Sequence, residues 1–359
     1  MRCPNENAQR HYLYTLHSDI QKFVSEHPNI VLHGFDIGGG TPTVLSDDNF
    51  AYLMDIYKAT VSSVKTARDF EPSIEGTFQT LTEDKIRMIE LAGIRRLSLG
   101  IQSTNSEVLS INQRLGESVS VMKKCLEIAK SKGIQKLNID IMYGLKGQTL
   151  TTVESELRVL ALLNTEQVTL YELRVNMLDN ADCHTTKEHL YQHYKTLYDG
   201  LSSLNYHARF GQNTFSVNMT DFGISSYLRN RMLTGLPYKG FGISAQSMSK
   251  CGISYNVGKT TTDVNRFIHL PTYGEEFTYH LPKRELLSKF IAISAYSGQI
   301  PLRKASEILC YDCAEYFRRE IDFCIKHELM TLDNDTLFIT HKGFENYGAV
   351  FSLFYVFSP

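Results

Sequence analysis

The chain has 359 residues, 42% of them hydrophobic and 21% charged, which is enough for one large domain and a small one with buried cores. Its 37 Lys and Arg against 39 Asp and Glu leave a net charge of −2, so composition provides no basic surface for nucleic acid or an anionic membrane. The sequence shows no apolar run near the roughly 18 residues of a membrane span. Its start MRCPNENAQR has no apolar stretch of the kind found in secretory signals, and its seven cysteines are too few for a disulfide scaffold. We therefore expect a cytoplasmic protein.

Helical and strand patterns alternate from about residue 10 to residue 175. Apolar spacing and capping residues predict helices over 11–24, 46–64, 81–93, 105–113, 117–132 and 149–163. Between them, apolar runs predict strands over 30–37, 73–78, 94–103, 134–145 and 167–175. This alternation is typical of βαβ units, and it favours a parallel sheet that is either open or curled into a barrel of (β/α) units.

The second half of the chain has a different pattern. A helix near 186–203 precedes a polar, glycine-rich stretch over 207–275 that contains GFGISAQSMS. From about residue 283, helices are followed by a hairpin around Asn334 and Asp335 and by a last helix. This order resembles a winged-helix module, and the net charge favours a structural or substrate-covering role over DNA binding.

Chemistry-bearing residues follow the predicted strands. The run GGGTPT (38–43) comes directly after an apolar strand, and glycine lets a backbone approach a ligand closely, although a tight strand-to-helix turn explains the run as well. Polar residues end the four later strands, in the segments 75–77, 98–102, 138–144 and 171–174. Because the carboxyl ends of parallel strands share one edge, we predict that these segments line one site.

Several motifs occur in an order that resembles a known superfamily. GGGTPT, SIEGTF, RRLSLGIQSTNSEVL, INQRLG and LNIDIMYGLKGQT look like the radical S-adenosylmethionine (SAM) superfamily, and most like its oxygen-independent coproporphyrinogen III oxidase and heme-chaperone-like branch. GFGISAQS and the tail LFITHKGFENYGAVFSLFY are similar to that branch too. The resemblance implies an α/β fold: an incomplete (β/α)6-type barrel over 1–235, a glycine-rich connecting segment over 236–280, and a small helical, winged-helix-like domain over 281–359.

The resemblance also implies the residues that contact SAM. They are matched motif by motif and comprise Gly39, Gly40, Thr41, Glu75, Gln102, Arg114 and Asp140. Asp140 has the chemistry to accept hydrogen bonds from ribose hydroxyls, and Arg114 to pair with a carboxylate. The alternatives are that Arg114 is a solvated cation at a helix end, that Gln102 caps the end of a strand and that Asp140 caps a neighbouring helix.

A [4Fe–4S] cluster is the second cofactor that the resemblance implies. The family holds it through three cysteines in a CxxxCxxC loop, and only Cys3 fits, as the last of the three. We expect either an N-terminal truncation, which we favour, or a protein that has lost its cluster. Cys310, Cys313 and Cys324 are predicted to pack near one helix face rather than to replace the missing ligands.

Three functions remain open at this point. The resemblance implies reductive cleavage of SAM to a 5′-deoxyadenosyl radical, with an electron donor such as flavodoxin or ferredoxin, acting on a tetrapyrrole-like or unknown small molecule. Substrate propionates would need cations, for which Arg174 and Arg209 are candidates. A heme-binding chaperone on the same scaffold is the alternative, weakened by the absence of histidine in Ser244-Ala245-Gln246-Ser247. The third is a cluster-less, non-catalytic SAM-binding protein.

Overall fold

The computed structural model describes residues 5–173, 186–256 and 276–356. Its central element is a six-stranded sheet with the strands β1 (Val31–Ile37), β2 (Lys65–Gly76), β3 (Arg96–Gln102), β4 (Lys136–Tyr143), β5 (Gln167–Glu172) and β6 (Thr214–Ser216). Neighbours in the sheet follow chain order; β1 to β5 are parallel and β6 is antiparallel to β5. The sheet curls into a half-barrel, which confirms the predicted α/β class.

Helices cover the outside of this sheet. They are α1 (Glu6–Glu26), α2 (Asp47–Ser62), α3 (Glu83–Leu91), α4 (Ser106–Ile111), α5 (Val119–Ser131), α6 (Leu150–Leu163) and α7 (Lys187–Ser203). Short polar side chains begin several of them: Thr82 accepts a hydrogen bond from the Lys85 backbone, and Thr149 forms a reciprocal capping box with Thr152. Within the described ranges, no helix is both long and apolar enough to cross a membrane.

The two faces of the sheet differ because side chains alternate along a strand. On the face toward the helices, Ile74, Leu97, Leu99, Leu137, Ile139 and Val168 are fully buried. Burying each such side chain contributes roughly 1.5–3 kcal/mol, so this face holds the barrel together. The opposite face carries polar residues of the other parity, including Ser73, Arg96, Ser98, Asn138 and Thr169. The interior of the barrel is therefore polar.

A second sheet lies in the predicted glycine-rich connecting segment. After α8 (Ser226–Arg229) and a π-helical turn (Asn230–Thr234), the strands β7 (Gln246–Met248), β8 (Gly252–Asn256) and β9 (Glu276–His280) pair antiparallel in that order. The sequence does not predict these strands, because this stretch reads only as polar and glycine-rich. Gly252 shows why glycine is needed there, since a Cβ would lie 2.2 Å from the Tyr279 carbonyl oxygen on the neighbouring strand.

The C-terminal region is helical with a small sheet, as predicted. It contains α9 (Lys283–Ser294), β10 (Gln299–Pro301), α10 (Leu302–Leu309), α11 (Cys313–Tyr316), α12 (Arg318–Lys326), β11 (Met330–Asp333), β12 (Thr336–Ile339), α13 (His341–Phe344) and α14 (Tyr347–Ser352). Asn334 and Asp335, with φ of 46° and 59°, form the predicted hairpin turn. Cys313 and Cys324 are buried in this core, whereas Cys310 is exposed and does not share their packing.

Aromatic rings join the C-terminal region to the barrel. Phe210 stacks on His341 with ring centroids 3.5 Å apart, and Tyr194 of α7 stacks on Phe344 at 4.3 Å. Gly211 packs against Gly298, where a Cβ on Gly298 would lie 2.8 Å from the Gly211 carbonyl carbon. This close packing fixes the C-terminal helices beside the carboxyl end of the barrel.

Candidate functional site

The glycine loop after β1 lies at the carboxyl edge of the sheet. The backbone N–H of Gly39, which has a φ of 95°, donates to Glu75 Oε2 at 3.3 Å. A Cβ on Gly38 would lie 2.6 Å from the Glu75 carboxyl carbon, whereas a Cβ on Gly39 or Gly40 would meet nothing within 4 Å. Gly38 therefore lets Glu75 approach the loop, and the backbone at Gly39 and Gly40 borders open space in which a ligand fits.

The loop is fixed on its other side. Thr41 precedes a 3₁₀ turn (Pro42–Val44), and its carbonyl accepts from the Val44 backbone N–H at 2.9 Å. Within that turn, Thr43 shares a hydrogen bond with Thr80 at 2.6 Å. The buried ammonium of Lys85 donates to the Thr43 carbonyl at 2.8 Å. Because these partners are buried or half-buried, the glycine loop is held in place before any ligand arrives.

Asp140 occupies the same edge on β4. Its carboxylate accepts from Ser98 Oγ at 3.0 Å and from Asn138 Nδ2 at 2.7 Å. Gln102, with a φ of 64°, turns its side chain back over Gly100, where a Cβ would lie 2.8 Å from Gln102 Nε2. Gly100 is the register partner of Asp140, so Gln102 lies beside the Asp140 carboxylate.

Three carboxylates face the described part of the barrel interior near one buried guanidinium. Burial raises the pKa of Asp36 to about 6, although the Ser225 hydroxyl, 2.5 Å away, and the Arg96 charge oppose the shift. The pKa of Glu75 is also raised, because its surroundings desolvate it and Asp140 repels its charge. Burial likewise raises the pKa of Asp140. We call Asp36, Glu75 and Asp140 the acidic mouth. Its three carboxylates outnumber the single Arg96 guanidinium, so when ionised they attract a cationic ligand.

Not every residue assigned from the sequence joins the acidic mouth. Arg114 is exposed on the loop after α4, and among the described residues no hydrogen bond or ion pair connects its guanidinium to the mouth. Its assignment stays a prediction. Cys3 and Arg174 lie outside the described residues. Arg209 is exposed, stacks on Phe338 and forms an ion pair with Asp333, so it contacts the C-terminal hairpin instead of the site.

Sequence reasoning overlooked two residues that support the site. Arg96 is buried and donates to Gln167 Oε1 at 3.0 Å; it has the same strand parity as Ser98, which is the signal that would have placed it in the barrel interior. Glu156 of α6 is 1% exposed, and its carboxylate accepts from the Ser103 hydroxyl and, at 2.7 Å, from the Thr104 backbone. It fixes the loop that follows Gln102.

A cavity of about 540 Å³ lies between the barrel and the C-terminal helices. Aromatic side chains, including Tyr296, Phe344 and Tyr347, form much of its wall, and Arg231 and Lys289 lie on it. This volume is within the usual range of small-molecule sites.

Tyr171 connects the cavity to the acidic mouth. Its pKa is raised by burial and by the charges of Asp140 and Glu75, and Tyr296, which lines the cavity, contributes as well. The next residue, Glu172, also lines the cavity. Thr169, two residues before Tyr171, is the register partner of Asp140, so the acidic mouth and the cavity wall adjoin at the carboxyl end of β5.

The described residues do not supply a metal centre. Within residues 5–173, 186–256 and 276–356, no group of three or more His, Cys, Asp or Glu side chains is arranged to hold a metal ion. An iron–sulfur cluster needs thiolates, and the described cysteines are separate, with Cys313 and Cys324 in the C-terminal core. The described residues thus do not fit a cluster.

Comparisons with known proteins agree with this geometry. Residues 3–160 match the Radical SAM superfamily. The heme chaperone HemW of Haemophilus influenzae is 33% identical over 178 residues, which are 48% of this chain and 44% of that protein. HemW of Bacillus subtilis is 24% identical over 348 residues, or 92% of this chain and 88% of that one. The radical SAM enzyme coproporphyrinogen III oxidase (HemN) from Escherichia coli superposes with a TM-score of 0.79 at 18% identity, covering 99% of this chain and 85% of that chain.

The half-barrel, the glycine loop and the sequence match point to one class: over residues 3–160 this chain is similar to the radical SAM superfamily. Within it, the relatives are HemW- and HemN-like proteins. The Haemophilus match spans less than half of that chaperone, and the superposition on the oxidase shows a shared fold.

Proposed function

We propose that this chain binds SAM at the acidic mouth and a tetrapyrrole in the adjoining cavity, and that it acts as a heme-binding chaperone. The observation that carries the proposal is the junction, at the carboxyl end of β5, of two unlike surfaces: an acidic mouth and an aromatic cavity with cations on its wall. Each surface fits a different ligand.

The acidic mouth has the chemistry for SAM. The sulfonium and ammonium groups make SAM a net cation, so Glu75 and Asp140 attract it. Asp140 would accept from the ribose hydroxyls, while the backbone at Gly39 and Gly40 would lie against the methionine end. The space that a Cβ on either glycine would enter is open, which supports this placement.

The cavity has the chemistry for a tetrapyrrole. Flat aromatic walls bury a macrocycle, and cations pair with its carboxylates. The relatives are named as a heme chaperone and a coproporphyrinogen III oxidase, and both names concern tetrapyrroles. Both HemW relatives described above are heme chaperones, and the Bacillus subtilis protein matches over most of its length, so we favour heme binding.

A radical enzyme is the second candidate, because a SAM site next to a substrate-sized cavity suits it too. It requires a [4Fe–4S] cluster with Cys3 as one ligand, and an electron donor such as flavodoxin or ferredoxin. When bound, the cluster would supply the electron that cleaves SAM. Iron and sulfide analysis after anaerobic reconstitution tests this candidate: stoichiometric iron supports it, and iron-free protein excludes it for this chain. A cytoplasmic location stays a prediction.

Two titrations test the first proposal. Calorimetry with SAM should show binding that Asp140→Asn weakens about tenfold or more, since a charge-assisted hydrogen bond contributes about 1.5–3 kcal/mol. Asp333→Asn, which changes an exposed carboxylate on the C-terminal hairpin, serves as the control and should bind SAM normally. Hemin added to the protein should shift the Soret band at a stoichiometry of one. An unchanged Soret band would exclude the chaperone function.

A further inference from the structure

Arg231 and Lys289 both lie on the cavity wall. Arg231 belongs to the π-helical turn that follows the barrel (Asn230–Thr234), and Lys289 belongs to α9, the first helix of the C-terminal region. Ser294 of α9 donates to the Met232 carbonyl at 2.6 Å, which fixes the two segments against each other. The two cations therefore come from different parts of the chain but occupy a preset arrangement.

Arg231 is held by neutral partners. Its guanidinium donates to Tyr227 Oη at 3.3 Å and to Gln246 Oε1 at 3.0 Å, and it lies over the Tyr238 ring at 4.6 Å. Arg231 Nε is buried and has no hydrogen-bond partner among the described residues. A guanidinium carries five N–H donors, so donors besides the two used by Tyr227 and Gln246 remain for a ligand in the cavity.

Lys289 faces the cavity from α9. It shares one helix face with Ile293 and Tyr296, which also line the cavity, while Phe290 on the adjacent face is buried in the core. Lys289 is half-buried, and among the described residues it forms no hydrogen bond or ion pair. Its ammonium is therefore free to bind a ligand.

Among the described residues, no carboxylate forms an ion pair with Arg231 or Lys289. Burial and the Arg231 charge both lower the pKa of Lys289. The carboxylates on the cavity wall, Glu172 and Glu345, are exposed, and Glu172 accepts from Tyr143 at 3.4 Å. Two half-buried cations repel each other, and a bound anion would offset that repulsion, so the pair forms a site for an anionic group.

We propose that Arg231 and Lys289 together bind one carboxylate of the ligand in the cavity, an inference that rests on the proposed tetrapyrrole function. A carboxylate has two oxygens, so it accepts from the Arg231 guanidinium and from the Lys289 ammonium at the same time. Because the two cations are on different segments, the bound carboxylate also ties the C-terminal helices to the barrel. The preset packing of these segments keeps the cost of reorganisation low.

Mesoporphyrin IX and its dimethyl ester are the probes, since they share a macrocycle and differ in carboxylate charge. Fluorescence titration of the wild-type protein should show that the free acid binds about 10- to 100-fold more tightly than the ester. Lys289→Gln and Arg231→Gln should weaken binding of the acid to the level of the ester and leave the ester unchanged. Lys283→Gln, which alters an exposed lysine at the start of the same helix, should leave both affinities unchanged.

Lys289→Glu separates a ligand-binding role from a structural one. The new carboxylate lies next to Arg231 and takes the place of the ligand's carboxylate, so the variant should melt at a higher temperature than wild type yet lose its preference for the acid. A wild type that binds acid and ester equally, or a Lys289→Gln variant that keeps the preference, would overturn the cation pair while leaving the tetrapyrrole function standing. Failure of wild type to bind either porphyrin would overturn both.

Discussion

Asp36 offers a quantitative test of the electrostatics inside the barrel. It lies on β1 with its carboxylate 2.5 Å from the Ser225 hydroxyl, and burial raises its pKa from 3.8 to about 6. Asp36→Asn keeps the shape and the acceptor of this side chain but removes its ability to ionise. The variant therefore isolates the free energy that an ionised Asp36 costs the folded state.

The size and sign of the effect follow from the pKa. The shift from 3.8 to about 6 is 2.2 units, and at about 1.36 kcal/mol per unit it corresponds to about 3 kcal/mol. Since the folded pKa is the higher one, the folded state binds the proton more tightly, and the stability that this proton provides is lost as pH rises from about 4 to about 6. Asp36→Asn does not suffer this loss.

Urea unfolding followed by circular dichroism, from about pH 4 to about pH 8, measures the effect. The free energy of unfolding of Asp36→Asn, minus that of wild type, should grow by about 3 kcal/mol between pH 4 and pH 7 and then stay level. Asp69→Asn is the control of opposite sign, because hydrogen bonds from Asn230 and His33 outweigh burial and lower the pKa of Asp69. If the free energies of unfolding of wild type and Asp36→Asn depend on pH in the same way, the claim that burial raises the pKa of Asp36 is refuted.

Three further changes probe the frame of the site. Glu156→Gln removes one of the acceptors that hold the loop containing Ser103. We expect the free energy of unfolding in urea to fall by about 1–3 kcal/mol and SAM binding to weaken in calorimetry. Unchanged values for both would contradict this role. Gly40→Ala should leave the melting temperature of the free protein unchanged, since a Cβ there meets nothing within 4 Å. It should weaken SAM binding about tenfold, because the added methyl group would clash with the ligand. Equal affinity would show that SAM does not bind against this loop. Lys85→Met deletes the buried hydrogen bond to the Thr43 carbonyl and should cost about 1–3 kcal/mol of unfolding free energy, and a melting temperature equal to wild type would show that the lysine does not fix the loop.

Local patterns predicted most of the barrel because its elements follow local rules. Thr82, Thr149 and Thr186 start their helices by accepting backbone hydrogen bonds, as the capping signals indicate. The predicted hairpin at Asn334 is confirmed as well, since its turn needs positive φ at two adjacent residues. The strands β7 to β9 escaped prediction because they are only three to five residues long and are stabilised by pairing with one another rather than by their own pattern.

By itself, the sequence determined the order of the elements and the parity that turns Ser98 and Asp140 into the barrel, because periodicity and capping depend on near neighbours in the chain. Only the tertiary structure decided that Asp36 lies close enough to Arg96 and Glu75 to feel their charges, and that Arg231 and Lys289 line the same cavity. Charge interactions and desolvation depend on distances between segments that lie far apart in the chain, and folding is what sets those distances.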